Sequence, residues 1–214
     1  MPSVLASQPS RRTSGRPRGA DSVLRREEIL SIAAQVFSEE GFRSVSMSAL
    51  ARACDMSLTG LAHYFPTKDL LLQAVMDRRD ELDDARIAGP GETRARGWAY
   101  LMSLVELVRN NQSQPGIVRL FTTVAAEAVD SGHPANGWLR GHHQRAIGQI
   151  RLALNEAVED GVLAQDTPVD SIARNLVATM DGLQLQWLSD PHYPDMASDF
   201  ELLLDSLQHR WAAP

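Results

Sequence analysis

The side chains best suited to chemistry in this 214-residue chain are concentrated between Ser46 and Lys68. Ser46, Ser48, Ser57, Thr59, His63, Tyr64 and Lys68 supply hydroxyl, imidazole and ammonium donors there. Such a set suits hydrogen bonding to phosphates and base edges better than bond breaking. No Gly-rich phosphate loop, Gly-x-Ser-x-Gly elbow or paired-carboxylate constellation accompanies it. His142 and His143 are adjacent, about 100° apart on a helix, so they do not face one metal ion together. The single cysteine, Cys54, can form neither an intrachain disulfide nor a structural zinc site, and reads as a small buried residue. No catalytic residue, metal or cofactor is expected, and the chain is not read as an enzyme.

The elements that must position these donors are short helices. Ile29, Ala33, Val36 and Phe37 form a helical stripe that Gly41 ends. Ser46 caps a helix through Met47, Leu50 and Ala51, and Ser57 caps a second that ends near Tyr64. Thr67 caps a third amphipathic run, to about Arg86. Two helices so close in sequence form a helix-turn-helix, whose second helix fits a major groove about 12 Å wide. The motif needs a small residue at the crossing, a turn residue tolerating φ > 0 and an apolar plug into the core. Ala51, Asp55 and Leu61 stand at those positions. Asp at the turn is a second choice, because glycine adopts that conformation without the roughly 1 kcal/mol other residues spend.

The string Ser46-Met47-Ser48-Ala49-Leu50-Ala51-Arg52-Ala53-Cys54-Asp55-Met56-Ser57-Leu58-Thr59-Gly60-Leu61-Ala62-His63-Tyr64-Phe65-Pro66-Thr67-Lys68-Asp69-Leu70 resembles the DNA-binding domain of the TetR family of bacterial regulators. The resemblance covers about residues 22–85, and its most specific part is His63 to Leu70. It implies a recognition helix with Ser57, Leu58, Thr59 and Ala62 facing base edges, and Ser46 and Ser48 on the preceding helix at the groove. His63, Tyr64 and Lys68 match positions that contact phosphate. Many relatives carry lysine where Leu58 stands and tyrosine where Ala62 stands, so the operator does not follow from this helix. Leu58 and Ala62 suit contact with a thymine methyl.

Charge divides the chain in the same way. Residues 1–68 carry nine bases against six acids, +3, so the total of −6 leaves −9 for residues 69–214. A basic segment joined to an acidic body suits a chain of which one part meets a polyanion. Residues 1–20 read as a flexible basic arm. Ser14-Gly15-Arg16-Pro17-Arg18 resembles an AT-hook core, placing Arg16 and Arg18 in a narrow minor groove; a solubilising tail is the other reading. A helix-turn-helix domain over 21–86 follows, including the linking helix 67–86. A Gly89-Pro90-Gly91 break separates it from a helical domain over 87–214.

That domain reads as five longer helices. Thr167-Pro168-Val169-Asp170 and Ser198-Asp199-Phe200-Glu201 are read as helix starts, and Gly161-Val162 as a stop. The fold class is therefore all-α, about nine helices, with no alternation of polarity that argues for a sheet. Met180-Asp181-Gly182-Leu183-Gln184-Leu185-Gln186-Trp187-Leu188 resembles the BetI-type regulatory domain of the same family. The resemblance implies a homodimer through the last two helices, about 168–189 and 198–212, gripping a palindromic double-stranded operator with half-sites roughly 34–36 Å apart. It also implies a small-molecule pocket, for which Trp98, Met102, Phe121, Trp138, His142, Met180 and Gln184 are the candidate lining residues. The acidity of the domain favours a neutral or cationic ligand.

The expected function is a sequence-specific transcriptional regulator, a repressor released by a small molecule. The alternatives are a nonspecific architectural DNA binder or an all-helical ligand-binding enzyme. The longest uninterrupted apolar run, Trp98 to Met102, is too short to span a bilayer, and the N-terminus turns polar at once, so a cytoplasmic protein is expected.

Overall fold

The computed structural model describes residues 18–88, 94–190, 192–193 and 195–214. Among them are nine helices and no strand: α1 Arg18–Glu40, α2 Met47–Ala53, α3 Leu58–Tyr64, α4 Lys68–Ala88, α5 Gly97–Gln112, α6 Pro115–Glu127, α7 Asn136–Glu159, α8 Val169–Ser189 and α9 Met196–Arg210. No helix among the described residues is long and apolar enough to cross a membrane. The first helix begins at Arg18, so the last three residues assigned to the basic arm are helical; the rest of the arm, with Arg16, lies outside the described residues.

The N-terminal caps follow local chemistry. The Ser46 hydroxyl accepts from the Ala49 amide at 3.1 Å, Ser57 from Gly60 at 3.0 Å and Thr67 from Leu70 at 3.2 Å. Gly41 has φ 83° and its amide donates to the Phe37 carbonyl, ending α1 in the left-handed conformation glycine adopts freely. At Gly161 the Val162 amide donates to Ala157 and the Gly161 amide to Val158, the two bonds of a Schellman stop.

Two helix starts differ from the sequence reading. At α8 the Thr167 hydroxyl donates to the Ala164 carbonyl in the preceding turn, and Pro168 occupies the capping position without a side-chain bond. Helix α9 starts earlier than Ser198. Asp195 is its cap, accepting from the Ala197 amide at 3.0 Å and from the Ser198 hydroxyl at 2.5 Å. Ser198 is thus consumed as a partner of the true cap.

Two apolar cores hold the helices, and they do not follow the order of the chain. One joins Ile29, Leu30, Ala33 and Phe37 of α1 to Leu50, Ala51, Leu61, Leu71 and Val75, and then to Leu120, Phe121, Val124 and Trp138 of α6 and α7. The other gathers Ile87 with α5, α7, α8 and α9 around Leu101, Leu154, Leu176 and Phe200. Helix α4 contributes to both. At the α1–α6 contact a Cβ on Gly116 would lie 3.1 Å from Ser38 Cβ, so the start of α6 approaches α1 closely only because residue 116 has no side chain. Arg43 adds an ion pair to Glu127 across the same junction at 3.1 Å.

Candidate nucleic-acid interface and effector cavity

The turn between α2 and α3 has the geometry its sequence demands. Asp55 has φ 51°, the only positive-φ residue other than glycine among those described. Ala51 is 2% exposed where the helices cross, and Leu61 is fully buried beneath α3. Cys54 is buried beside the turn, and burial pushes its thiol pKa up. Phe65 is likewise a core aromatic. Arg25 makes a contact here that the sequence did not signal. An Nη of Arg25 donates to the Cys54 carbonyl at 2.6 Å, tying the end of α2 to α1. A basic side chain at a helix C-terminus satisfies an orphan carbonyl and opposes the helix dipole; an arginine 29 residues away in sequence leaves no local signal of that contact.

With its apolar side so held, α3 turns the other face outward. Ser57, Leu58, Thr59 and His63 are exposed, and Ala62 and Tyr64 half-buried. Ser46 and Ser48 are exposed beside them on α2. The cap bonds use the Ser46 and Ser57 oxygens as acceptors, which leaves both O–H groups to donate outward. Lys68 is different. Its Nζ donates to the Phe42 carbonyl at 2.8 Å and to Val45 at 2.9 Å, and lies 4.4 Å from the Phe42 ring centroid. The ammonium fastens the loop between α1 and α2, and a phosphate would have to compete with those carbonyls for it.

A cavity of about 80 Å³ lies between α4, α5, α7 and α8. It brings together Phe121, His142, Met180 and Gln184 of the seven residues the sequence singled out. Trp98 and Met102 do not line it. They pack half-buried against the second core. Trp138 stands behind the cavity, donating its indole N–H to Asp80 at 3.2 Å with its ring 5.5 Å from that of His142.

The cavity's polar wall is a charge network on α4 that the sequence reading missed. Asp80, 9% exposed, accepts from Arg145 at 2.5 Å and meets His142 Nδ1 at 2.9 Å as well as Trp138. Burial by itself would raise the Asp80 carboxyl, but His142, Arg79 and Arg145 together hold it below the usual carboxylate range. Three residues on, Asp83 is raised by burial, which outweighs Arg79 and Arg86. His143 faces Asp181 at 3.3 Å, which raises its pKa, so the two adjacent histidines serve different carboxylates. Among the described residues no group of histidine, cysteine and acidic side chains is placed to hold a metal. The missed residues are acids and bases at helical spacing on α4, a pattern that a solvated helix face shows equally well.

Residues 29–75, from α1 into α4, match the family model of the bacterial regulatory proteins of the tetR family. The chain is a transcriptional regulator with the DNA-binding domain of that family. Among curated relatives, the HTH-type transcriptional regulator UidR of Escherichia coli K12 is 27% identical over 175 residues, 81% of this chain and 85% of UidR. The HTH-type transcriptional regulator PksA of Bacillus subtilis is 27% identical over 185 residues, 82% of this chain and 84% of PksA. Among solved structures, Salmonella enterica GusR is 26% identical with a TM-score of 0.69, covering 87% of this chain and 96% of GusR. A TetR transcription regulator from Haloarcula marismortui, 18% identical, shares the fold at a TM-score of 0.75 over 88% of this chain and 98% of its own.

Proposed function

We propose that this TetR-type regulator is a repressor that binds a palindromic operator as a homodimer and leaves it when a small molecule occupies the cavity beside α4. The observation that carries the reading is the course of α4, which starts at the loop beside α3 and runs 21 residues to end against the second core. Along it, Lys68 fastens the α1–α2 loop and Asp80 and Asp83 line the cavity. A ligand that binds one position of α4 better than another biases the placement of α3, and release needs that preference to reach a few kcal/mol.

On DNA, Ser57, Leu58, Thr59 and Ala62 face base edges, while Ser46, Ser48, His63 and Tyr64 position the helix along the backbone. Lys68 acts by holding the loop. The dimer forms through α8 and α9, whose Leu185 and Leu202 are 58% and 65% exposed in the single chain. Large apolar side chains so exposed suit an isologous contact with a second copy.

The reading is tested by selecting bound fragments from the organism's genomic DNA. A small set of enriched palindromic sites is the expected result, and a Thr59→Ala variant should enrich sites altered at one base position of each half. Equal affinity for all fragments would make the chain an architectural binder instead. Leu202→Glu should shift the particle mass to that of one chain and abolish tight binding; an unchanged mass would place the interface elsewhere.

A further inference from the structure

The lining of the cavity beside α4 carries more acceptors than the protein fills. Four aspartates, Asp80, Asp83, Asp84 and Asp181, stand against two arginines, Arg79 and Arg145, so the surplus is acidic even when His142 is counted as a cation. Asp80 holds Arg145 and His142, and Asp83 has Arg79 at 3.7 Å and Arg86 at 3.5 Å. Asp84 meets a neutral group, the Gln149 amide, at 3.5 Å. Acids at helical spacing are by themselves compatible with a solvated helix face. What sets this lining apart is an orphan on the opposite helix.

Gln184 of α8 is 7% exposed, lines the cavity, and its Oε1 has no hydrogen-bond partner among the described residues. A buried carbonyl oxygen without a donor is rare, and it calls for an N–H or O–H from elsewhere. One turn earlier on the same helix stands Asp181, which also lines the cavity; residues three apart on a helix are surface neighbours. One Asp181 oxygen meets His143 at 3.3 Å, and a carboxylate has lone pairs for further donors. Helix α8 therefore presents two acceptors side by side. The aromatic rings of the lining are engaged differently. Arg79 lies 4.1 Å from the Phe121 centroid and Arg94 4.4 Å from that of Tyr100, so a cation seeking a ring face would meet a guanidinium already there. A cation held by hydrogen bonds to α8 would not.

We infer that the effector is a compact primary ammonium, whose N–H groups donate to Gln184 Oε1 and to the Asp181 carboxylate. The inference rests on the effector reading of the cavity above, and names the ligand class for it. The space of about 80 Å³ sets the size. The expectation drawn from the domain's net charge, a neutral or cationic ligand, narrows to a cation that carries N–H donors. Asp80, Asp83 and Asp84 all belong to α4, so a cation fixed on α8 attracts the helix that leads to α3, and does so strongly because the site is partly withdrawn from water.

The test uses the full-length protein, with melting temperature and calorimetric titration at constant ionic strength. The probes are methylammonium beside tetramethylammonium, ethanolamine beside choline, and acetate as an anion. At least one primary ammonium should bind about tenfold or more tighter than its quaternary counterpart, the worth of one charge-assisted hydrogen bond, and acetate should not bind. Gln184→Met should cut that affinity about tenfold without lowering the melting temperature of the unliganded protein, because Oε1 has no protein donor to lose. Asp181→Asn, on a half-exposed side chain, should weaken both primary ammonium probes by about threefold or more. A quaternary ion that binds as tightly as its primary counterpart, a preference for acetate, no response to either primary ammonium, or a Gln184→Met protein that binds them as the native one does would each overturn the inference. Genomic fragment selection separates the two failures: enriched sites with no ammonium response sink the ligand class alone, and absent enrichment sinks the regulator reading itself.

Discussion

The outer face of α3 and the wall of the cavity are both polar, but they differ in how their polar groups are provided for. On α3 the side chains are exposed, and water or DNA satisfies them equally well, so folding asks nothing more of them. Along α4, Asp80, Asp83 and Arg79 are withdrawn from water and each depends on a particular partner from α4 itself or α7. Substitution on the outer face of α3 should therefore cost little stability, whereas substitution in the cavity wall should cost more.

Substitution within one helix should expose the contrast most sharply. Leu61→Ala, beneath α3, should cost about 2–5 kcal/mol in a denaturant titration, as expected for a leucine with no exposure. Leu58→Ala, three residues away and 49% exposed, should change stability by less than about 0.5 kcal/mol while altering which operator is preferred. A large stability loss for Leu58→Ala would mean that α3 is not presented outward.

Asp80→Asn comes next, at roughly 2–3 kcal/mol, since it removes the charge on which Arg145 and His142 converge. The sign with pH is fixed by the direction of the shift. A carboxyl held below its unfolded value contributes stability that is present above the ordinary carboxylate pKa of about 4 and is lost as pH falls through the lower folded value. Stability curves of the native protein and Asp80→Asn should therefore converge as the solution is acidified below about pH 4. Parallel curves would show that the charge is not what holds the network.

Lys68→Met should cost about 1 kcal/mol, for the loss of charge-assisted bonds to the Phe42 and Val45 carbonyls. It should weaken binding to every DNA sequence and leave the slope of log affinity against log salt unchanged. A slope smaller by about one would instead identify a direct phosphate contact. The smallest effect is expected at the turn, where Asp55→Gly should raise stability by about 0.5–1 kcal/mol because residue 55 sits at φ 51°.

The helix-turn-helix was legible because its determinants are local. Ser46 and Ser57 cap within three residues, Ala51 and Leu61 sit at fixed distances from the turn, and Asp55 alone needs the unusual dihedral. The helix starts at Thr167 and Ser198 misled for the opposite reason: each hydroxyl donates to an oxygen of the preceding turn instead of accepting from an amide of the helix. Phe121, His142, Met180 and Gln184 were placed on helices by periodicity, yet periodicity is indifferent to which buried residue meets a void and which meets another side chain.

Sequence by itself determined the helical class, the short helix after the turn at Asp55 and the opposition of charge between the two ends, since each depends on neighbours a few positions apart. Only the tertiary structure decided that Lys68 holds a loop, that Arg25 closes the end of α2 from 29 residues away, and that Arg79 lies buried against Asp83 and the Phe121 ring. Those outcomes depend on which helix packs over which, and a buried charge acquires its meaning from the partners that packing supplies or withholds.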